Sequence, residues 1–550
     1  MRHLTSSIAK SALLFLAIPL FFSASAFADA KAVYQYGVTI DKPADQPLIW
    51  TKTTAFLWVP PASRHLRAVL LAPANIIERR VADDPSIRAM AARNDMAIVF
   101  FQAGWKQESG NTALMAETME HVLDALAAKS GYSELRIVPW VVIGHSGNSK
   151  FCASLARFRP ERVAAVVVIK GGLPTPQKDA ATGAMTNAGI TGIPILFITG
   201  EFEEVMPPEK VRNGWWATSM TRFATVREAV PDALIAGLED KSHGHVCWFP
   251  PANDFVTLYI EKALHARLSK DGSDKLRPVS FESGWLGDPD LKLPEAPVSK
   301  YTGAKSAAFW FFDEEEATAW HALMAHDLGK KEQMLAFTQN GQIAPWWNGW
   351  ALQSIQFQPD EDGVTFHASA VWRDAVPAPF ADAGKPLGHA SDGAIQYLVF
   401  GWAGNIEQVG PDAFRFAEDR EGVNGRTMHV LLGAYHPGNA EYRETMSAAS
   451  FDMKPNTGRA QSIDFPPLKD VSSGTKEIVL RATSSSRLPV RYYISWGPAV
   501  VEDGVIHLKD TPARAKQPIE VSVTAYQWGR AGKDPVATAN SVTRTFRVLP

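Results

Sequence analysis

The chain has 550 residues, too many for one hydrophobic core, so we expect about two to four domains. Its hydrophobic fraction of 46% and charged fraction of 21% are those of ordinary globular protein. The formal net charge of −3 gives no excess of basic residues that could bind phosphate groups. We therefore expect neither a nucleic-acid partner nor a polybasic membrane tether.

The first 28 residues have the pattern of a secretory signal. Basic residues at Arg2 and Lys10 precede an apolar run over residues 12–22, and Ala26-Phe27-Ala28 matches an A-x-A cleavage site. The run is too short to span a bilayer, and we expect no later membrane span. We therefore expect an exported protein, periplasmic or extracellular, that begins at Asp29.

Strands and helices alternate over the next part of the chain. Segments 33–40 and 54–59 have the alternation of antiparallel edge strands. Buried strands are expected at 68–71, 97–102, 138–143, 163–169, 193–199 and 233–238, and helices at 85–96, 111–129, 149–158, 208–230 and 253–268. This alternation predicts an α/β fold with a doubly wound, mainly parallel sheet over about residues 33–270.

A sharp turn carrying a serine is predicted between the strand 138–143 and the helix 149–158. The turn reads Gly144-His145-Ser146-Gly147-Asn148, and its small residues leave room for close backbone contact around an exposed Ser146 Oγ. Asn148 stands where glycine is usual, and asparagine tolerates unusual backbone angles. A structural turn that happens to carry a serine is the alternative interpretation.

With this turn after a central strand, and possible partners in the order serine, acid, histidine, the segment resembles the α/β-hydrolases. The resemblance covers roughly the first half of the exported chain. It implies that the acid follows the strand 193–199, where Glu203 takes the acid position of a Gly-Glu-X-Asp ending and Glu201 or Glu204 is the alternative. It also implies a histidine after the strand 233–238, and we prefer His245, which follows a glycine, to His243.

The same resemblance implies an oxyanion hole of two N–H groups. One is the backbone N–H of Gly147. The second comes from the loop after the strand 68–71, where Pro73 has no N–H, so Ala74 is preferred and Asn75 is the alternative. We expect no cofactor and no metal, because His243 and His245 lack a third ligand at sensible spacing.

Tryptophans and cysteines supply weaker signals. Four tryptophans lie near the predicted active-site loops, and we expect two of them to line the substrate site: Trp105, Trp215, Trp216 and Trp248. A second group either stacks on sugar rings or forms the core of a β domain: Trp346, Trp347 and Trp350. Cys152 and Cys247 are the only cysteines; a disulfide between them and two buried thiols are both open.

The chain becomes strand-rich after residue 267. Expected boundaries are a signal peptide at 1–28, a catalytic domain at 29–275, a β-rich middle domain at 285–457 and a β-sandwich at 460–550. The last region resembles the immunoglobulin-like modules of bacterial extracellular proteins. We expect the chemistry not to depend on either β-rich domain, and a chain ending near Leu268 to keep its activity on small esters.

These patterns predict a secreted serine hydrolase that cleaves carboxylic esters through an acyl-enzyme, with a small-molecule or polysaccharide ester as substrate. One alternative is a peptidase of the prolyl-oligopeptidase kind, although those enzymes carry their β domain before the hydrolase domain. The other is a catalytically inert surface or glycan-binding protein.

Overall fold

The computed structural model describes residues 32–41, 52–102, 113–178, 182–203, 215–248, 250–346, 351–378, 380, 382–401, 405–420 and 428–550. The predicted signal peptide lies outside the described residues, as do Trp105, Glu204, Trp347 and Trp350. From Val33 to Pro550 the chain forms one compact unit. Among the described helices, none is long and apolar enough to cross a membrane.

The first half of the chain is built on an eight-stranded sheet with the order β1-β2-β4-β3-β5-β6-β9-β10. Its strands, with a short hairpin formed by β7 and β8, are β1 Tyr36–Asp41, β2 Lys52–Trp58, β3 Ala68–Pro73, β4 Met96–Phe101, β5 Trp140–His145, β6 Val163–Ile169, β7 Gln177–Lys178, β8 Met185–Thr186, β9 Ile195–Phe202 and β10 Ile235–Gly244. Strand β2 pairs antiparallel with β1 and β4, and the strands from β4 to β10 pair in parallel. This is the predicted doubly wound, mainly parallel α/β sheet.

Burial on both faces explains the composition of the central strands. Every residue of β3, β4, β5 and β6 is buried, and all four are nearly continuous apolar runs. Of the two strands predicted at the edge, β1 lies there, whereas β2 lies inside the sheet because β4 pairs with its other side.

Six helices cover this sheet and a seventh follows it. They are α1 Glu78–Asp83, α2 Pro85–Arg93, α3 Ala113–Ser130, α4 Ser149–Phe158, α5 Trp215–Ala229, α6 Pro250–Arg267 and α7 Glu314–Ala325. Asp84 caps α2 by accepting hydrogen bonds from the N–H groups of Ser86 and Ile87, and Pro85 occupies the first turn. Helix α3 packs against α4, while α6 packs against α2 and α7.

The second half consists of short strands. They are β11 Trp285–Gly287, β12 Ala296–Pro297, β13 Phe309–Phe311, β14 Leu335–Gln339, β15 Gln342–Ile343, β16 Leu352–Ser354, β17 Thr365–His367, β18 Ser369–Trp372, β19 Gln396–Gly401, β20 Asn405–Gln408, β21 Ala413–Ala417, β22 Met428–His436, β23 Thr445–Met453, β24 Ile463–Asp464, β25 Val471–Ser472, β26 Glu477–Val479, β27 Thr483–Ser484, β28 Arg491–Trp496, β29 Ala499–Glu502, β30 Val505–Leu508, β31 Ile519–Tyr526 and β32 Val542–Leu549. Its largest sheets are β16-β23-β22-β19 and β25-β32-β31-β28.

Two apolar cores organise this half. One lies between residues 335 and 453 and also includes Trp528, and the other lies between residues 465 and 548. Trp528 belongs to the last predicted module yet packs on Phe416 at a ring distance of 4.7 Å, so a residue of that module forms part of the first core. The predicted domain boundaries and the immunoglobulin-like module stay predictions.

Residues 309–324 pack along the edge of the eight-stranded sheet at β10. The Phe309 ring lies directly against Gly237 on β10. A Cβ added at this glycine would be only 2.4 Å from the ring, so any larger residue here would clash with Phe309. Trp320 Nε1 donates a hydrogen bond of 2.7 Å to the Gly237 carbonyl. Phe309 also packs edge-on against Phe197 and Phe223. These contacts argue against the expectation that a chain ending near Leu268 would fold and work alone.

Replacing Phe309 with alanine should therefore destabilise the eight-stranded sheet itself. The side chain is fully buried, so Phe309→Ala should lower the free energy of unfolding by about 3 to 5 kcal/mol, measured by urea denaturation. Leu328→Ala is the matched control, because that side chain is 64% exposed and should change stability by less than about 0.5 kcal/mol. Equal effects of the two substitutions would contradict the role of Phe309.

Candidate active site

Ser146 lies on a strained turn at the carboxyl end of β5. Its φ is +53°, in the left-handed region that a serine rarely adopts, and residues Ser146–Asn148 form a single 3-10 turn before α4. A Cβ at Gly144 would lie 2.4 Å from the Asn148 carbonyl oxygen, so this position requires glycine. The turn therefore has the geometry predicted from the sequence, with Asn148 at its last position.

A buried carboxyl group supports this turn from below. Glu78 Oε1 accepts hydrogen bonds from the His145 N–H at 2.6 Å and from Asn148 Nδ2 at 2.8 Å. Asn148 Nδ2 also contacts the Pro73 carbonyl oxygen at 3.2 Å. The Asn148 side chain, at a position where glycine is usual, thus connects the turn by hydrogen bonds to α1 and to the end of β3.

The acid lies directly after β9, which continues past the predicted end at residue 199 to Phe202. Glu203 is 1% exposed, and its Oε1 accepts a hydrogen bond of 2.7 Å from the Gly200 N–H. Its Oε2 lies 2.9 Å from His245 Nδ1. Glu203 is therefore the carboxylate that contacts this imidazole.

Glu201, the alternative acid, has other partners. Its Oε2 accepts a hydrogen bond of 2.8 Å from the Ser242 N–H, which joins the ends of β9 and β10. Arg443 Nη1 forms an ion pair with the same oxygen at 3.1 Å. Glu201 therefore links these strand ends to the second half of the chain.

A β-bulge decides between the two histidines. Strand β10 was predicted to end at residue 238 but runs on to Gly244, and its pairing with β9 is interrupted between Asp240 and Gly244. The bulge turns His243 inward, where its Nδ1 lies 2.8 Å from Asp240 Oδ1 and the side chain is fully buried. His245 follows the end of the strand and faces Ser146.

The three predicted residues meet in one array. Ser146 Oγ lies 2.8 Å from His245 Nε2, and His245 Nδ1 lies 2.9 Å from Glu203 Oε2. His245 is 5% exposed and Ser146 is partly exposed. With the proton of His245 on Nδ1, the imidazole donates to the carboxylate and presents a free acceptor to the serine hydroxyl.

Burial dominates the electrostatics of this pair. It raises the pKa of Glu203 to about 7, an effect that the nearby Lys170 ammonium opposes. Burial, and secondly the Lys170 ammonium, lowers the pKa of His245 to about 3. The histidine is therefore held in its neutral form near neutral pH, as a general base must be.

The predicted second oxyanion donor, Ala74, is wrong. Its N–H donates a hydrogen bond of 2.7 Å to the Phe101 carbonyl, because the pairing of β3 with β4 extends one residue beyond Pro73. The alternative, Asn75, is the next residue along the loop. Its side-chain Nδ2 donates to the His145 carbonyl at 3.1 Å, which holds the loop beside the serine turn.

Sequence analysis missed three buried residues around the array: Glu78, His145 and Lys170. His145 Nε2 donates to the His245 carbonyl at 2.9 Å, and the two rings lie 4.8 Å apart. Burial lowers the pKa of His145 well below its usual value, so this ring is neutral. Lys170 does have a signal in the sequence, because a charged residue immediately after a buried strand such as β6 indicates a polar site at the end of that strand.

The two cysteines are free and buried, and no disulfide joins them. The Cys152 thiol packs against the serine turn at Gly144. A Cβ added at this glycine would be only 2.8 Å from Cys152 Sγ. Burial raises the pKa of Cys152, and it raises that of Cys247 to about 11, which makes both thiols unreactive.

The described tryptophans have mostly packing roles. Trp248 is 3% exposed and donates to Asn253 Oδ1 at 3.4 Å, and Trp216 packs on Phe197 and Phe309. Trp215 is partly exposed at the start of α5. Trp346 packs edge-on against Phe380 at 5.0 Å, as expected for a core aromatic residue.

Neither active-site histidine has metal-ligand geometry. Both ring nitrogens of His245 contact Ser146 or Glu203. Within the described part of the chain, one group has ligand atoms close enough for a metal ion, within 4.8 Å of one another, namely His326, Asp327 and Glu444. His326 Nδ1 and Asp327 Oδ1 already form an ion pair at 2.9 Å, so this group is explained without a metal.

Comparison with known proteins gives no family model that matches the chain and no curated relative. Among solved structures, it is similar to a poly(aspartic acid) hydrolase-1 from Sphingomonas sp. KT-1, at 14% identity over 42% of this chain and 99% of that one, with a TM-score of 0.29. A poly(3-hydroxybutyrate) depolymerase from Bordetella parapertussis matches at 14% identity, 45% and 94% coverage, and a TM-score of 0.29.

An acetyl xylan esterase from Aspergillus awamori matches at 12% identity, over 40% of this chain and 98% of that one, with a TM-score of 0.28. Likenesses this low carry no argument about activity. The functional conclusion therefore depends on the geometry of Ser146, His245 and Glu203.

Glu78→Gln should make the stability of the protein less sensitive to pH. Burial raises the pKa of Glu78 from 4.5 to about 7, and Glu78 Oε2 has no hydrogen bond among the described residues. The carboxyl group is therefore favourable when neutral, and its contribution to stability is complete below about pH 4.5 and lost as the pH rises through about 7. Glutamine keeps the oxygen that accepts from His145 and Asn148 and cannot ionise.

Between about pH 5 and pH 8, the stability of Glu78→Gln relative to the wild type should improve by up to about 3 kcal/mol, because one pH unit corresponds to about 1.4 kcal/mol. Urea denaturation at both pH values measures this. The control is Glu502→Gln, which removes an exposed carboxyl group at the end of β29. A difference that does not vary with pH would contradict the burial argument.

Proposed function

We propose that this protein is an exported serine hydrolase that cleaves carboxylic esters through an acyl-enzyme intermediate. The observation that carries the proposal is the continuous contact from Ser146 Oγ through the His245 imidazole to the Glu203 carboxylate, on a turn that holds the serine in a strained conformation. A structural serine turn has no need of a buried histidine and a buried acid in this order.

In the proposed reaction, Ser146 Oγ attacks the ester carbonyl while His245 Nε2 takes the hydroxyl proton. The imidazolium then gives this proton to the leaving alcohol, and an acyl group remains on Ser146. Water then attacks the acyl carbon while His245 Nε2 takes its proton. The bond to Ser146 Oγ breaks, the imidazolium returns the proton to Oγ, and the carboxylic acid is released. Glu203 keeps the imidazole in the required tautomer and stabilises its transient positive charge.

The tetrahedral intermediate requires donors for its oxyanion. We assign this role to the backbone N–H groups of Gly147 and Asn75. Gly147 lies in the 3-10 turn Ser146–Asn148, two residues before α4 begins at Ser149. One such donor typically contributes about 3 to 4 kcal/mol to transition-state stabilisation. The Glu78 and Asn75 side-chain contacts on either side of His145 fix the two loops that carry these donors.

Two features bear on the substrate. The signal-like N-terminus favours a substrate outside the cytoplasm, and the β-rich half suits a large ester such as an acylated polysaccharide. The peptidase alternative keeps the same catalytic groups, and a peptide panel separates it from the esterase. An inert surface protein would show no turnover with either.

Ser146→Ala should abolish hydrolysis of an aryl acetate without unfolding the protein. Loss of a triad nucleophile typically lowers kcat by about 10⁶-fold. Ser149→Ala is the matched control, since this hydroxyl lies three residues further on and packs against Gly171. A serine-directed phosphonate should label the wild type and the control once per chain, and should not label Ser146→Ala.

Retained turnover in Ser146→Ala would contradict the triad. Lack of both turnover and labelling in the wild type would instead support the inert alternative. Screening the wild type on short-chain esters, acetylated glycans and peptides then identifies the substrate class.

Hydrolysis should also fall on acidification. A proton on His245 removes the acceptor for Ser146, and a proton on Glu203 reverses the tautomer, so either site of protonation inactivates the pair. The two groups titrate together, and the first proton that the pair takes up inactivates it. The decline in kcat/KM should therefore be centred near pH 7, where burial places the pKa of Glu203. The measurement is a pH profile with an aryl acetate, with recovery at pH about 8 as the control for folding. A flat profile around this midpoint would argue against a histidine base.

A further inference from the structure

A fully buried lysine lies beside the catalytic histidine. Lys170 directly follows β6, is 1% exposed, and has a φ of +47°, which is unusual for a residue with a side chain. Its ammonium donates to the Gly244 carbonyl at 2.7 Å and to the Cys247 carbonyl at 2.6 Å. It also forms an ion pair with Asp240 Oδ2 at 2.7 Å, so its charge is compensated and its hydrogen-bonding capacity is used.

These carbonyls bracket His245 along the chain. Gly244 precedes it by one residue and Cys247 follows it by two, while the His245 carbonyl itself accepts from His145 Nε2 at 2.9 Å. The backbone of this segment is therefore held by two buried side chains from β5 and β6. The backbone position of His245 depends on them as much as its imidazole depends on Glu203.

The burial of the Lys170 ammonium group has a free-energy cost that its contacts must offset. Burying an ammonium group requires several kcal/mol unless its hydrogen bonds and its charge are matched, as they are here. A neutral apolar residue after β6 would avoid this cost but could not donate to two carbonyls and a carboxylate. The left-handed backbone at Lys170 adds a further cost that the surrounding contacts must offset.

We propose that Lys170 is a positioning residue of the hydrolase: its ammonium, bonded to the carbonyls on either side of His245, fixes the Gly244–Cys247 segment so that His245 Nε2 meets Ser146 Oγ, and it places a positive charge beside the His245 and Glu203 pair. The first part stands on the three contacts of the ammonium. The inference rests on the proposed function, because it assigns a role in that reaction.

The charge of Lys170 acts on both members of the pair in the same direction. It lowers the pKa of Glu203 and it lowers the pKa of His245. Asp240 has the opposite effect on Glu203. The other titratable groups that face this cluster are His145 on β5, His243 on β10, Cys247 after β10 and Glu444 on the loop before β23.

Lys170→Met tests both parts of the proposal. The methionine side chain has nearly the same length but can donate to neither carbonyl, so kcat on an aryl acetate should fall by about 10²-fold, as expected for a misplaced base, with little change in KM. Removing the positive charge raises the pKa of both Glu203 and His245. The acid limb of the kcat/KM profile should therefore move to higher pH by about one unit.

The double variant Lys170→Met/Asp240→Asn separates the effect of the lost hydrogen-bond donors from the effect of the lost positive charge. This variant removes the ammonium together with the carboxylate that forms its ion pair, so it guards against simple unfolding of the single variant. Its acid limb should return close to that of the wild type while kcat stays low, because the carbonyl contacts are still missing. Lys516→Met is the matched control, since the Lys516 ammonium also donates to a carbonyl, that of Ala128 at 3.1 Å, but at the exposed carboxyl end of α3.

Wild-type kcat in both Lys170 variants would overturn the positioning role, and an acid limb that does not move in Lys170→Met would overturn the electrostatic role. Failure of the proposed function is distinguishable, because it would show as a wild type that neither turns over nor takes up the phosphonate. In that case, the imidazole resonances of His245, assigned with His245→Ala, still decide the inference: their titration midpoint should rise in Lys170→Met, and an unchanged midpoint would refute it.

Discussion

The structure depends on the contact between Glu203 and His245, two ionisable side chains taken almost fully out of water. Such a pair is stable only if each remaining polar atom has a partner and neighbouring charges compensate. Gly200 satisfies the free oxygen of Glu203, and Lys170 supplies the compensating charge. The carboxyl ends of β5, β6, β9 and β10 therefore form one polar network inside an otherwise apolar sheet.

Backbone strain also occurs at the same place. Ser146, Lys170 and Ser242 all have left-handed φ angles, of +53°, +47° and +61°, and they lie at or near the ends of three different strands. Each such residue is unfavourable in isolation, by about 1 to 3 kcal/mol. Each one also aims a group at the network: a nucleophile, an ammonium group and the N–H that joins Glu201. The packed sheet stabilises these angles, and the site gains its geometry from them.

The β-rich half contributes to this network as well as to the core. Arg443 connects Glu201 at the end of β9 to Glu332, with distances of 3.1 and 2.9 Å. Phe202, the residue before the acid, packs edge-on against Phe380 at 5.9 Å. The loops that hold the acid and the base are thus supported by contacts from outside the eight-stranded sheet, which the expectation of two independent halves did not anticipate.

The sequence by itself determined the sheet and its serine turn, because buried parallel strands are continuous apolar runs and the turn requires small residues at Gly144 and Gly147. It also placed Ser146, Glu203 and His245 in the order that the fold brings together. Only the tertiary structure decided the rest. The bulge in β10 turns His243 toward Asp240, the extended pairing of β3 takes the Ala74 N–H, and Lys170 reaches carbonyls more than 70 residues away. These choices depend on which atoms meet across neighbouring strands, and local periodicity contains no information about such contacts.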